Sequence, residues 1–349
     1  MNILFVDIKA SEKYDFGYME SHSIGGTEST ILRVARELAR EHKVYISQLN
    51  RTERYVEEGI TYIHNPNGLT QKEFVPDIII IRSKYRVLTK YRAAYPNAKL
   101  FVWAHNFQRV EILGRRHRIA KTNAQVVCVS QCHRDHIDKI LNGGLSWLFR
   151  LLSFQFKTIP VTYVYNLIDS GYTKSDVAYD KNKLFFFSTP NKGLKEVMVN
   201  FIELLKKAPN YHLYIAGCSQ KTLDEFAYNF SKESLPSDSV TILGKIPKDE
   251  IIEQLRTSFC VFYPQYVHAE TFGLVFIEAN CVGTPVLTHP FGAANELLGD
   301  EQLVDARNSE AVVNRILDWQ KNGRPEVFCP EKTQKSNVVK SWKQLLELE

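Results

Sequence analysis

No stretch of this sequence approaches the roughly 18 uninterrupted apolar residues that a membrane-spanning helix requires, so any membrane contact is expected to be peripheral. Its six cysteines, Cys128, Cys132, Cys218, Cys260, Cys281 and Cys329, show neither paired metal-ligand spacing nor the density of a disulfide scaffold. Reduced core thiols are the expectation. Low-complexity tracts are missing, and hydrophobic residues at 44% against 24% charged leave enough apolar area to offset conformational entropy. A large net charge is also missing. The formal value of +5 favours anionic partners but is not the footprint of a nucleic-acid binder. The start, MNILFVDIK, has no basic n-region, no cleavable apolar region and no small-residue cleavage site, which reads as cytoplasmic.

What is present is alternation. At 349 residues two domains are expected, and short apolar runs alternate with helical patterns from end to end, the signature of parallel sheets covered by helices. Strands are read at Asn2–Asp7, Val44–Gln48, Ile78–Ile81, Leu100–Ala104 and Val126–Ser130, with a glycine-bearing loop before a helix at Glu28–Glu41. The alternation restarts after Tyr163–Asp169 with strands at Lys183–Phe187, His212–Ala216, Val240–Leu243, Cys260–Tyr263 and Pro285–Thr288. The reading is α/β, two doubly wound units in tandem, hinged near Tyr165–Gly171. This gives domains of 1–167 and 168–334, with a C-terminal helix at 335–349 returning to the first. In such sheets ligands bind at the carboxyl ends of strands, which places the expected site in a cleft between the two units.

The most informative stretch is His268–Leu298, HAETFGLVFIEANCVGTPVLTHPFGAANELL. Glu270 precedes a helical run and Glu278 lies inside it, seven residues between them. Thr271, Phe272, Gly273 and Leu274 put backbone amides at a helix start, where unpaired donors and the macrodipole attract a diphosphate. A carboxylate on the second turn suits a ribose diol. The alternative is a solvated Glu270 and a half-exposed Glu278.

The acid, seven residues, acid pattern resembles the donor-binding signature of the retaining GT-B glycosyltransferases called family 4, glycosyltransferase group 1. The resemblance implies two Rossmann-like domains facing each other across a cleft, an N-terminal acceptor-binding domain and a C-terminal nucleotide-sugar domain. It implies that Glu270 lies beside the transferred sugar, that Glu278 holds the ribose and that the amides of Thr271 to Leu274 hold the phosphates. Three further stretches follow in the family's order. Gly25-Gly26-Thr27-Glu28 resembles the glycine loop after the first strand, with a plain helix start capped by Thr27 as the alternative. His105 in Trp103-Ala104-His105-Asn106 falls at a strand end where the family often places a histidine near the sugar, and a structural histidine is the alternative. Ser188-Thr189-Pro190-Asn191-Lys192-Gly193 would supply the diphosphate-binding Lys192, with Phe187 or Ser188 where the family commonly has an arginine. A hydroxyl at Ser188 or Thr189 could add a hydrogen bond.

Catalytic roles implied in this way fall to Glu270, His105 and Lys192, with Gly25, Gly26, Ser188, Thr271, Phe272, Gly273, Leu274 and Glu278 as donor contacts. No acidic-x-acidic motif with strand context appears, so charge on the leaving group is expected to be met by Lys192 and helix amides rather than a metal. The implied activity is transfer of a hexose-type sugar from a UDP- or GDP-sugar to a glycan, lipid-linked or other hydroxyl acceptor, with no cofactor and no nucleic acid. A nucleotide-sugar epimerase on the same fold, or a binding protein without turnover, are the rivals. Arg115, Arg116 and Arg118 with Trp147 to Phe156 read either as a solvated helix face and a buried hairpin, or as a contact for a phosphorylated acceptor or an anionic membrane on the cytosolic side.

Overall fold

The computed structural model describes residues 1–22, 24–65, 74–108, 110–143, 157–219, 221 and 237–348; the aromatic run Trp147 to Phe156 lies outside these. The chain divides into two compact units. Unit 1 comprises Met1–Met19, Ile24–Leu167 and Gln334–Glu349, and unit 2 comprises Glu20–Ser23 and Ile168–Thr333.

Among the described residues, unit 1 holds an eight-stranded sheet in the order β3-β4-β2-β1-β5-β6-β7-β8. The strands are β1 Asn2–Asp7, β2 Lys43–Gln48, β3 Tyr55–Glu57, β4 Ile60–His64, β5 Ile78–Arg82, β6 Lys99–Trp103, β7 Gln125–Cys128 and β8 Val161–Tyr163. All pairings are parallel except β3 with β4. Strands β1 and β5 are the continuous apolar runs that a sheet covered on both faces demands, with Ile3 to Val6 and Ile78 to Ile81 no more than 1% exposed. Strand order reverses between β1 and β5, so the crevice of this unit lies at their carboxyl ends. The antiparallel β3–β4 hairpin was not anticipated. It turns through Glu58 and Gly59, both left-handed at φ 50° and 73°.

After a short helix at Phe16–Ser21, the long helix between β1 and β2 spans Gly26–Ala39, starting two residues earlier than expected. Its N-cap is Gly25 in an extended conformation with no side-chain cap, so Thr27 is inside the first turn and caps nothing. Ile31, Leu32, Val34, Ala35 and Leu38 form its buried stripe. At the other end of the sequence, the helix Lys335–Leu346 belongs to unit 1 and buries Trp342 against Trp103, ring centroids 4.7 Å apart.

Unit 2 holds a five-stranded parallel sheet in the order β11-β10-β9-β12-β13. Its strands are β9 Asp180–Phe187, β10 His212–Ala216, β11 Val240–Gly244, β12 Ser258–Tyr263 and β13 Val286–Thr288. Here the order reverses between β9 and β12. Cys281 and Cys329 form a disulfide with Cα atoms 4.0 Å apart, which corrects the expectation of reduced thiols for these two. The reason is tertiary: Arg324 donates to the carbonyl oxygens of Ser258, Phe259 and Gly283, and this holds the segment that carries Cys329 near the end of the Leu274–Cys281 helix.

His133, on the helix Gln131–Asn142, is fully buried with both ring nitrogens engaged. Nε2 donates to the Asn106 carbonyl at 3.0 Å and Nδ1 accepts from the Val129 amide at 3.4 Å, an arrangement that only the neutral ring satisfies. Burial, with a smaller contribution from His136 and against the pull of the Asn106 bond, pushes its pKa down to about 4. The unfolded chain therefore binds the extra proton first as the pH falls. Stability from His133 is complete above pH 6.5 and is lost progressively toward pH 4, a total of about 3 kcal/mol. Thermal melts of the wild type and His133→Gln at pH 7 and pH 4.5 should show a wild-type melting temperature falling several degrees further than the variant's. Equal falls would remove His133 as the cause.

Candidate functional site

The two strands flanking the reversal in unit 2 deliver the polar residues of this half. Loops leaving β9 and β12 carry Ser188–Gly193 and Gln265–Gly273, and parallel neighbours bring these loops side by side. Lys192 Nζ donates to both oxygens of Glu270, at 2.9 and 3.0 Å. Tyr263, the last residue of β12, donates its hydroxyl to Glu270 Oε1 at 3.1 Å. Glu270 is only 6% exposed, so its charge is held by a cation and a phenol rather than by water. A solvated Glu270 is excluded. Burial, and after it the charge of Glu270, pushes the Tyr263 phenol well above its ordinary range, and a smaller opposite influence comes from the Ser188 hydroxyl. Tyr263 thus keeps its proton and remains a donor. Lys192, a third exposed, gives two hydrogen bonds to Glu270, and among the described residues it has no second acidic partner.

Backbone geometry fixes Glu270 from the other side. Ala293 N–H bonds the Glu270 carbonyl at 3.0 Å, and Gly292, left-handed at φ 58°, packs so closely that a Cβ there would stand 2.6 Å from the same oxygen. Gly273, at φ 76°, is the N-cap of the Leu274–Cys281 helix, whose Phe276 amide bonds the Gly273 carbonyl. Thr271, Phe272, Gly273 and Leu274 thus lead directly into a helix start. This helix is buried on every side, Phe276, Ile277, Ala279 and Cys281 included, and Glu278 is buried with them rather than half-exposed.

In unit 1 the expected residues sit on the carboxyl side of the sheet. Gly25 and Gly26 open the Gly26–Ala39 helix, and the Glu28 carboxylate folds back to where a Gly25 Cβ would be. His105 lies two residues beyond β6, 7% exposed, its ring 4.6 Å from that of Trp103. Burial and then the positive charge of Arg82 hold its imidazole well below the ordinary range, so it is neutral at pH 7. Sequence reasoning missed Tyr263 and the network of Asp7, Arg82, Glu28 and Tyr14. Arg82 Nη1 donates to Asp7 at 2.6 Å and to Glu28 at 2.7 Å, and the Tyr14 hydroxyl donates to Asp7 at 2.9 Å. A signal existed, since a cation closes the run Ile78–Arg82 and an acid closes Asn2–Asp7 at adjacent strand ends. The arginine run is divided. Arg116 donates to the carbonyls of Leu141 and Lys157, while Arg115 lies over the Tyr85 ring.

Residues 174–336 match the family model of the glycosyl transferases group 1. Over this stretch the chain is similar to the group 1 glycosyltransferases. No curated protein matches the sequence. Among solved structures, HepE of Anabaena, in complex with UDP and glucose, aligns with a TM-score of 0.71 at 15% identity over 100% of both chains. A glycosyltransferase from Rickettsia africae ESF-5 aligns at 0.68 and 16% over 99% of this chain and 98% of that one. AviGT4, a glycosyltransferase involved in avilamycin A biosynthesis, aligns at 0.59 and 14% over 99% and 97%. These likenesses show the fold, which is GT-B with two Rossmann-like units. The glycosyltransferase match takes in Lys192, Glu270 and Glu278 together. Among the described residues no helix is long and apolar enough to cross a membrane, and no three His, Cys, Asp or Glu side chains gather as metal ligands.

Proposed function

We propose that this glycosyltransferase moves a hexose-type sugar, with retention of anomeric configuration and without a metal ion, from a UDP- or GDP-sugar to a hydroxyl of a glycan or lipid-linked acceptor. The observation that carries this reading is the Lys192–Glu270–Tyr263 cluster at the strand reversal of unit 2, beside the helix start at Gly273. Unit 2 takes the donor. The remaining N–H of Lys192 and the amides of Thr271 to Leu274 meet the diphosphate, with Ser188 nearby, and Glu278 takes the ribose hydroxyls. Glu270 stands at the sugar end. A carboxylate that accepts two bonds from Lys192 and one from Tyr263 is a poor nucleophile, which argues against a covalent glycosyl-enzyme and for attack by the acceptor on the face the diphosphate leaves. The bond from the anomeric carbon to the diphosphate oxygen breaks, the bond to the acceptor oxygen forms, and the acceptor proton passes to the departing diphosphate. Unit 1 takes the acceptor, with Gly25 and Gly26 allowing close backbone approach and neutral His105 bonding a sugar hydroxyl. The UDP and glucose in the HepE complex support a nucleotide-sugar donor here.

A thermal-shift panel tests the donor reading. UDP or GDP at about 100 times its Kd should stabilise the chain by about 2.7 kcal/mol, whether or not EDTA is present. Glu278→Ala should lose most of this. A donor that is converted to its epimer without any acceptor would favour the epimerase, and no stabilisation by any nucleoside diphosphate at millimolar levels would sink the proposal.

A further inference from the structure

Unit 1 carries an excess of cations where its strand order reverses. Lys9 lies two residues beyond β1 and Lys84 two residues beyond β5, and these two strands are adjacent and in register. The row before them pairs two carboxylates, Asp7 and Glu28, with the one guanidinium of Arg82, which leaves fewer negative charges than Lys9, Lys84 and Arg115 bring. Asp7 accepts from the amides of Lys9 and Ala10, from the Tyr14 hydroxyl and from Arg82, and Arg82 also holds Glu28. Arg115 joins from the following segment, its guanidinium 5.8 Å from the centre of the ring of Tyr85, the residue after Lys84. Among the described residues no carboxylate forms an ion pair with Lys9, Lys84 or Arg115.

Two further observations point to a ligand. Desolvation first, then the charges of Arg82 and Lys84 and, past the opposing pull of Asp7, that of Arg115 hold the Lys9 ammonium below its ordinary range, so the cations are close enough to repel one another. Between Arg82 and Lys84, the buried Ser83 takes a left-handed φ of 45°, strained for a residue with a side chain. The strain is held by bonds from its amide and hydroxyl to the Trp103 carbonyl at 3.0 and 3.2 Å, and from the His105 amide to its hydroxyl at 3.3 Å. Strain kept in place beside unneutralised like charges, at the crevice of a doubly wound sheet, marks a binding site.

We propose that Lys9, Lys84 and Arg115 bind a phosphate group carried by the acceptor. The inference rests on the reading of unit 1 as the acceptor unit and adds the chemical class of the acceptor: a phosphate ester. Three charge-assisted contacts suit the three terminal oxygens of a phosphomonoester. The diphosphate of the donor is assigned to Lys192 and the helix start of unit 2, so the two anion sites are separable by mutation.

The test titrates the full chain, first with UDP and then, in the presence of UDP, with glycerol 3-phosphate. A parallel arm measures flotation with phosphatidylcholine vesicles with and without phosphatidic acid, which separates a soluble phosphate ester from a lipid-borne one. The Lys9→Ala/Lys84→Ala double variant should lose glycerol 3-phosphate or phosphatidic acid binding by about tenfold or more, with its melting temperature and UDP affinity unchanged. Arg115→Ala should act in the same direction. Binding of both phosphate probes equal in variant and wild type, or no wild-type binding of either up to roughly 10 mM phosphate, overturns the inference. So does a matching fall in UDP affinity, which would give these cations to the donor. Failure of the wild type to bind any nucleoside diphosphate strikes instead at the donor reading of unit 2.

Discussion

Glu270→Gln is expected to lower kcat by on the order of 10²- to 10³-fold while UDP affinity stays within about threefold. The asymmetry follows from the cluster. Glu270 holds Lys192 on both oxygens, so removing its charge frees the ammonium for a diphosphate and gives no reason for nucleotide binding to weaken. What the variant loses is a negative charge held by Tyr263 and by the Ala293 amide on its carbonyl, which in the proposed function faces the positive character of the reacting sugar. Turnover and UDP titration on the same preparation check this. A tenfold loss of UDP affinity would place Glu270 at the nucleotide instead of at the sugar.

Lys192→Ala carries the second large effect, in two observables. Without the cation, the leaving diphosphate keeps only the helix start to offset its charge, and kcat/KM should fall by about 10³-fold. Stability should fall as well, by roughly 2 kcal/mol, because Glu270 stays buried with only Tyr263 beside it; the partial exposure of Lys192 keeps this below the cost of breaking a fully buried pair. The double variant Lys192→Ala/Glu270→Gln separates the two. Removing both charges should restore most of the melting temperature while activity stays low, since partners in one pair are not additive. If the single and double variants melt together, the pair contributes nothing to the fold.

Much of this architecture was legible because strands such as Asn2–Asp7 and Ile78–Arg82 are apolar throughout, a pattern that only a sheet covered on both faces satisfies at that length. The β3–β4 hairpin escaped because Tyr55–Glu57 is short and largely exposed and its turn is Glu58-Gly59, without the Asn-Gly or Asp-Gly pair that usually announces one. Glu270, Glu278 and Lys192 stood out by residue type and spacing, but the bond between Lys192 and Glu270 did not. They are 78 residues apart and meet because β9 and β12 become neighbours where the strand order reverses. Tyr263 was hidden as an ordinary aromatic at a strand end; its role depends on the acid folding back over it. The Cys281–Cys329 pair was invisible for a related reason, since 48 residues separate them and the Arg324 contacts that hold that segment against the sheet are long-range.

The helix Lys335–Leu346 has a consequence for how the chain is made. Unit 1 needs Trp342 against Trp103 to close its core, yet all of residues 168–333 leave the ribosome before that helix does. Until then the Trp103 surface of the nascent first half stays uncovered while the second half is synthesised. The domain begun first is closed by a helix made after the whole of the second.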